Sequence, residues 1–346
     1  MKKMISLVLA VMMLVGILAV PAMADETKPV GSLSSLVMSE EEDQALGVSI
    51  RRPLLKLLGL RGVFIPEAEG ILPDGPKPRR HYDSLNALLM ALQSGEVGDI
   101  KLPYYTARYL CSTNTGLKIR EEYYPEKATG VAEWALSILS DGYSFMMKED
   151  NTELRDAFDT QIAAMKDDGT LQKLIDEHII KAAESGKPVA VDFEQFEGDP
   201  IRIGVTGDLP PMDYVAADGS FAGFNTAVLA EIGKRLQKNI QLVQVENVGR
   251  ALALSEGVVD VVFWTRALSE KMVDGRVANR GISDEELEKK RGERREALTE
   301  EEKVILDEGT RPDEETKAKM AFRDRPSNTI ITRPYFSDIT VRVRLK

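Results

Sequence analysis

Between residues 201 and 264, short β-branched runs alternate with amphipathic helical patterns, and this alternation limits the possible folds more than any other feature of the chain. The runs 201–205, 240–245 and 258–264 read as strands. The segment 224–236 places Val228, Leu229 and Ile232 on one helical face, and 248–254 reads as a helix closing at Gly257. Strands separated by helices build a parallel-type α/β sheet.

The preceding half carries the same vocabulary. Asp83 or Ser84 caps a helix with Leu85, Leu88, Leu89 and Leu92 on one face and a stop at Gly95. Strand 99–102 and a short helix 106–110 follow. The run 143–147 is an apolar strand. Asn151 then caps a helix over 153–165 with Leu154, Phe158, Ile162 and Met165 on one side, ended by Asp168-Gly169. Leu171, Leu174, Ile175 and Ile179 mark a second helix, with His178 in its polar tail. Nearer the N-terminus, Ser39 to Glu42 has the form of a capping box, Leu54 to Leu58 suggests a helix, 61–65 a short strand, and 66–78 a Pro/Gly-rich loop. The stretch 187–200 is polar and acidic and reads as a linker or surface crossing. Between 283 and 325 the composition turns strongly charged, with capping boxes at Ser283/Glu286 and Thr299/Glu302. We read two exposed, dispensable helices there, with a partner-docking arm as the functional alternative.

Residues 1–24 have the form of an export signal: Lys2 and Lys3, an apolar run from Met4 to Val20, and small residues before a cleavage site at Asp25. The alternative is an uncleaved anchor. Loss of Lys2 and Lys3 would take the net charge from −11 to −13, a surface that repels nucleic acid and anionic lipid. Cys111 is the only cysteine, so no intrachain disulfide can form and no lipid-attachment cysteine follows the signal. The expectation is a periplasmic or extracellular monomer held together by its core, without cofactor or metal.

Several stretches resemble the bacterial family 3 extracellular solute-binding proteins, the receptors of amino-acid-type ABC importers. "IRIGVTGDLPPMDYVAADGSFAGFNTAVLAEIGKRL" is similar to the family's opening strand, ligand loop, hairpin and first helix. "ALALSEGVVDVVFW" resembles its next helix and strand, and "NTIITRPYF" the stretch leading to its hinge. "HYDSLNALLMALQSGEVGDIKLP" resembles the middle of the second lobe, and "GYSFMMKEDNTELRDAFDTQIAAMKDDGTLQKLIDEHI" the family's last segment. The family's end thus precedes its beginning. The resemblance implies a two-lobed, periplasmic-binding-protein-like (type II) α/β fold in circularly permuted order. Lobe 2 would occupy 25–142. Residues 143–199 would supply a hinge strand, packing helices and a linker, and 200–346 would complete lobe 1. The rival reading is two truncated tandem domains.

The same resemblance implies that a small polar solute is bound between the lobes and passed to a membrane permease. In loop 207–214, Asp208 stands where the family places a ligand-facing acid, with a turn or helix cap as the alternative. Met212 and Tyr214 would form a wall, and Asp213 would be solvated. Thr265 and Arg266 would grip a ligand carboxylate, although Arg266 comes early for the family spacing and is otherwise a salt-bridge residue. Trp264 would line the cleft or pack in the core. In lobe 2, Ser84 caps a helix whose N-terminus would favour an anion. Tyr104 lines the cleft or lies on the surface, beside Pro103 where the family has an acid for an α-amino group. No Gly-x-Ser-x-Gly, His-Glu-x-x-His or phosphate loop is present, and His81 and His178 are the only histidines. Two further readings stand beside the receptor: a ligand-free sensor or surface interaction scaffold, and a dehydratase-like enzyme on the same fold.

Overall fold

The computed structural model describes residues 28–34, 39–40, 78–119, 140–187, 189–216, 219–268, 283–296 and 325–346, with single positions at 270, 273, 300 and 303. The expected signal, the helix at 54–58, the strand at 61–65 and the second capping box of the charged segment lie outside them.

The first part of the chain runs β1 (Val30–Leu33), β2 (Arg79–Tyr82), α1 (Leu85–Ser94), β3 (Asp99–Pro103), α2 (Tyr104–Thr113) and β4 (Leu117–Ile119). The middle part holds β5 (Asp141–Lys148), α3 (Thr152–Asp167), α4 (Thr170–Ile175), a π-helical turn (Asp176–Lys181) and α5 (Ala182–Ser185). Next come β6 (Ile201–Val205), β7 (Asp208–Leu209), β8 (Asp213–Val215), β9 (Phe221–Ala222), α6 (Phe224–Leu236), β10 (Ile240–Gln244) and α7 (Arg250–Ser255). The chain ends with β11 (Val261–Leu268), α8 (Asp284–Glu296), β12 (Thr329–Ile331), β13 (Phe336–Asp338) and β14 (Thr340–Leu345).

Local chemistry explains where the elements start and stop. The Ser84 hydroxyl accepts from the Ala87 N–H at 3.1 Å at the start of α1. The helix stops because Gly95 takes a left-handed conformation (φ 76°), which glycine adopts without a Cβ clash. Leu85, Leu88, Ala91 and Leu92 are buried on its inner face, and each leucine contributes roughly 1.5–3 kcal/mol by leaving water. Helix α6 buries Phe224, Val228, Leu229 and Ile232 and places Lys234 and Arg235 in its last turn, where cations are favoured.

Two main sheets share one plan. The six-stranded sheet has the order β10-β6-β11-β5-β12, with β13 also pairing β5. Its β10, β6 and β11 are parallel, and β5 runs antiparallel between β11 and β12. The five-stranded sheet has the order β2-β1-β3-β14-β4, with β2, β1 and β3 parallel and β14 antiparallel to β3 and β4. Each sheet therefore takes its fourth strand from across the molecule. The strands at 201–205 and 261–268 pair directly, and α3 and α4 pack on α6 of the same sheet.

The last strand departs from expectation. It was assigned with residues 200–346 to the first lobe, yet β14 completes the sheet of β1–β4. Its pleat explains the choice. Val341 and Val343 are buried against α1 and α2, while Arg344 on the other face meets the buried Asp99 at 2.8 Å. An alternating strand with two arginines on one face fits beside a buried carboxylate.

One buried apolar cluster runs through both sheets. At the crossing its links are aromatic. Phe145 stacks on Tyr335 (4.6 Å) and meets Phe158 edge-on, while Phe336 touches Phe224 on one side and Tyr105 on the other. The connector residues 186–187 and 189–200 lie at the surface, part of them half-buried, and are anchored: Ala190 bridges Ala222, Glu194 meets Lys234 at 2.8 Å, and Asn239 brackets Phe196 with bonds of 2.8 and 2.7 Å. His178, expected in a polar helix tail, is 6% exposed in the π-helical turn.

Candidate functional site

Loop 206–214 is built around Asp213, which is buried rather than solvated. Its carboxylate accepts from the Thr206 hydroxyl (2.8 Å), the Thr206 N–H (3.1 Å) and the Gly207 N–H (3.2 Å). Burial lifts its pKa to about 6, with the charge of Asp208 adding to the rise and the Thr206 and Gly207 donors opposing it. This carboxyl fixes the loop from within. The Val215 N–H to Gly207 carbonyl bond (2.9 Å) closes the loop from outside.

The fixed loop presents Asp208 to the other sheet. The N–H of Leu85, first residue of α1, donates to Asp208 Oδ2 at 2.9 Å. Helix N-termini leave four N–H groups without intrahelical partners; Ser84 takes one and Asp208 another. The two expected site residues Asp208 and Ser84 are thus brought together, and Asp208 acts as a helix cap contributed by the segment after β6. Tyr214 is 7% exposed and lies 6.0 Å, ring to ring, from Tyr109 of α2. Met212 is fully buried and belongs to the core. Tyr104, also buried, packs edge-on to Tyr105 at 5.2 Å and under the Arg108 guanidinium. The backbones of Trp264, Thr265 and Arg266 lie in β11, where Thr265 pairs with Ser144 and Arg266 with Tyr143. Their side chains lie outside the described residues.

A second contact joins the two halves through residues the sequence reading missed. Asn247 Nδ2 donates to the Ser34 carbonyl at 2.7 Å. Arg250, 2% exposed, holds Asn247 in place. Its Nη1 donates to the Phe263 carbonyl at 2.7 Å, its Nε to the Asn247 carbonyl at 3.2 Å, and its Nη2 to Asn247 Oδ1. One signal was available: a cation in the first turn of a helix opposes the positive end of the helix dipole, so Arg250 needs another reason to stand there. Where the chain passes between lobes, Asp338 is buried and accepts from the N–H groups of Tyr105 (3.1 Å) and Ile339 (2.7 Å). Burial raises its pKa to about 8, and Asp141 adds to the rise against those two donors.

The loop, its hairpin, α6, β10, α7 and the start of β11 form one continuous segment.

Residues 201–271 match the bacterial extracellular solute-binding proteins, family 3.

With the paired sheets described above, the matched segment sits in a two-lobed α/β fold. A comparison with curated proteins gave no match. Among solved structures, the chain is similar to a ligand-binding component of an ABC-type import system from Staphylococcus aureus, determined with zinc bound. That likeness has a TM-score of 0.32 and 11% identity, and covers 69% of this chain and 54% of that one. A phosphate-binding protein of a phosphate ABC transporter from Streptococcus pneumoniae TIGR4 gives a TM-score of 0.29 at 9% identity, over 92% and 89% of the two chains. The second substrate-binding domain of a putative amino acid ABC transporter from Streptococcus pneumoniae Canada MDR_19A gives 0.25 at 12% identity, over 82% and 99%. Among the described residues no helix is long and apolar enough to cross a membrane, and no group of three acidic, histidine or cysteine side chains could hold a metal ion.

Proposed function

We propose that this chain is an extracytoplasmic solute-binding protein that takes a small polar organic solute, amino-acid-like or an organic acid, between its lobes and delivers it to an ABC permease. The observation that carries the reading is the contact of the family 3 ligand loop, through Asp208, with the N-terminus of α1 on the opposite lobe. A solute site needs polar groups from both lobes converging on one cleft, and Asp208, Asn247 and Ser84 supply them. Trp264, Thr265 and Arg266 enter the proposal as groups on the strand beside Arg250. The same contact also supports a second reading, a scaffold that binds no solute. The protein's own carboxylate already occupies the helix N-terminus, and Met212, Tyr214 and Tyr104 are buried. Calorimetry of ligand-stripped protein with amino acids, short peptides and organic acids separates the two. Binding by at least one compound, weakened about tenfold or more by Asp208→Ala, is expected of the receptor. Silence across the panel, with unchanged melting temperatures, favours the scaffold.

We also propose that the fold is assembled in circularly permuted order. Strands β1 and β14 flank β3, and Val30 and Val343 lie opposite the neighbouring residues Asp99 and Ile100. Val30 and Val343 therefore lie at the same end of β3, about 10 Å apart at two strand spacings. Ends this close can be joined by a short bridge. Linking residue 346 to residue 30 with a Gly/Ser bridge and opening the chain within 191–195 would restore the family's order. Loop-closure entropy changes slowly with length, so the rearranged protein is expected to melt within about 5 °C of the parent. An unfolded or insoluble product would contradict the permuted reading.

A further inference from the structure

The helical run from Thr170 to Ser185 does not stay on one lobe. Its first turns and the π-helical turn pack against α6 of the six-stranded lobe. Its last turn, α5, lies against α2 of the five-stranded lobe. There Ala182 and Ala183 are buried, and Glu184 approaches Arg108 at 3.7 Å. Gly186 ends the run in a left-handed conformation (φ 63°), and a Cβ at that position would lie 2.6 Å from Thr113 Cγ2 and 3.1 Å from Ser112 Oγ. The chain then returns at once to the first lobe, where Ala190 bridges Ala222 beside Tyr214. Tyr214 in turn packs on Tyr109, one turn before Thr113 on the same helix.

We propose that α5 and the described residues that follow it, 182–187 with 189–190, are a strap that holds the two lobes closed in the absence of solute, so that opening requires the release of α5 from α2 in addition to bending at the crossings. The inference rests on the two-lobed receptor reading above. A hinge receptor opens by rotating one lobe against the other. Here the rotation meets a third connection, a helix rooted in one lobe and packed on the other. Small buried residues and a glycine make that packing close, and close packing is lost outright once surfaces separate. The contacts Asp208–Leu85 and Asn247–Ser34 also join the lobes, and the strap adds a connection through the backbone to these hydrogen bonds. The π-helical turn lies between the two packed ends, and such turns often mark places where a helix adapts. With the closed state favoured, the solute-competent open state is a minor population, and apparent association slows in proportion to it.

The test needs no solute, so its failure is distinct from failure of the receptor assignment. Spin labels are placed at Met90→Cys on α1 and Leu252→Cys on α7, both well exposed (68% and 65%), in a Cys111→Ser background. Pulsed dipolar spectroscopy reads the distance between the lobes. The intact chain is expected to give one narrow distance. Glu184→Arg, which faces a second guanidinium to Arg108 at a solvent-exposed site, should add a longer distance carrying about a tenth of the molecules or more, in the range of ordinary minor states. Gly186→Leu, which forces α5 away from Thr113, should add more. Unchanged narrow distributions in both variants would overturn the proposal, as would an intact chain that already populates the longer distance to the same extent. Should Gly186→Leu fail to fold, Glu184→Arg decides alone, because its side chain lies outside both cores.

Discussion

Deletion of residues 339–346 is expected to unfold the lobe built on β1–β4 while the six-stranded lobe keeps its fold. The strand being removed lies between β3 and β4, so its loss breaks two ladders at once. Ile339, Val341 and Val343 are buried. Three such side chains contribute roughly 5–9 kcal/mol by burial, comparable with the whole stability of a typical domain, about 5–15 kcal/mol. The deletion also removes Arg342 and Arg344 and leaves the carboxylate of Asp99, 1% exposed, without either. Removing one partner of a buried ion pair costs about 3–5 kcal/mol. Hydrogen exchange provides the readout. Amides of α1 and α2 should lose protection, while those of α6 retain it. Intact protection over residues 85–113 in the truncated chain would refute the prediction.

Raising the pH from about 4 to about 8 is expected to destabilise the protein, chiefly through Asp338. In the folded chain its pKa stands at about 8, because burial, reinforced by Asp141, outweighs the N–H groups of Tyr105 and Ile339. In the unfolded chain it returns to the ordinary aspartate range near 4. The folded state therefore binds the extra proton across this window. The contribution is fully present below about pH 4 and is lost as the pH rises through about 8. Asp213, lifted to about 6, acts in the same direction over the lower part of the window. At about 1.4 kcal/mol per pKa unit, Asp338 alone accounts for a change on the order of 5 kcal/mol, or roughly 10 °C in melting temperature. Asp168 behaves oppositely. The Thr170 hydroxyl and N–H, then Arg235, hold it at about 2, so its effect falls below pH 4 and outside the window. Asp338→Asn should melt lower than the parent at pH 5, having lost one acceptor, and should flatten the slope towards pH 9. An unaltered slope in that variant would place the titration elsewhere.

Much of the fold was legible because its signals are local. The capped helix from Ser84 to Gly95, the strand 201–205 and the helix 224–236 each follow from a cap, a period and a stop, all within a few residues. The destination of β14 was not, because its alternation of valine and arginine marks a half-buried strand without naming the neighbour. Asp99, its partner across 245 positions, carries no local signature. The burial of Asp213 was missed for a related reason. In sequence it is one acid in a polar turn, and only the closed ring of donors from Thr206 and Gly207 makes the interior tolerable for it. Of the site residues, Asp208 and Ser84 were found by position in the chain, yet what they do to each other across the cleft depends on the spatial meeting of two segments. Asn247 and Arg250 were overlooked because a buried arginine satisfied by carbonyls cannot be told from a solvated one by composition.

The placement of β1 and β14 on either side of β3 sets an order in time as well as in space. A chain made from its N-terminus presents β1 to β4 first, but their sheet lacks the strand that joins β3 to β4 until residue 345 has emerged. The six-stranded sheet draws only on residues 141–338 and can close earlier. Domains generally fold as units during synthesis. Here the lobe made first is completed last, and the earliest-made third of the polypeptide stays open until synthesis is all but finished.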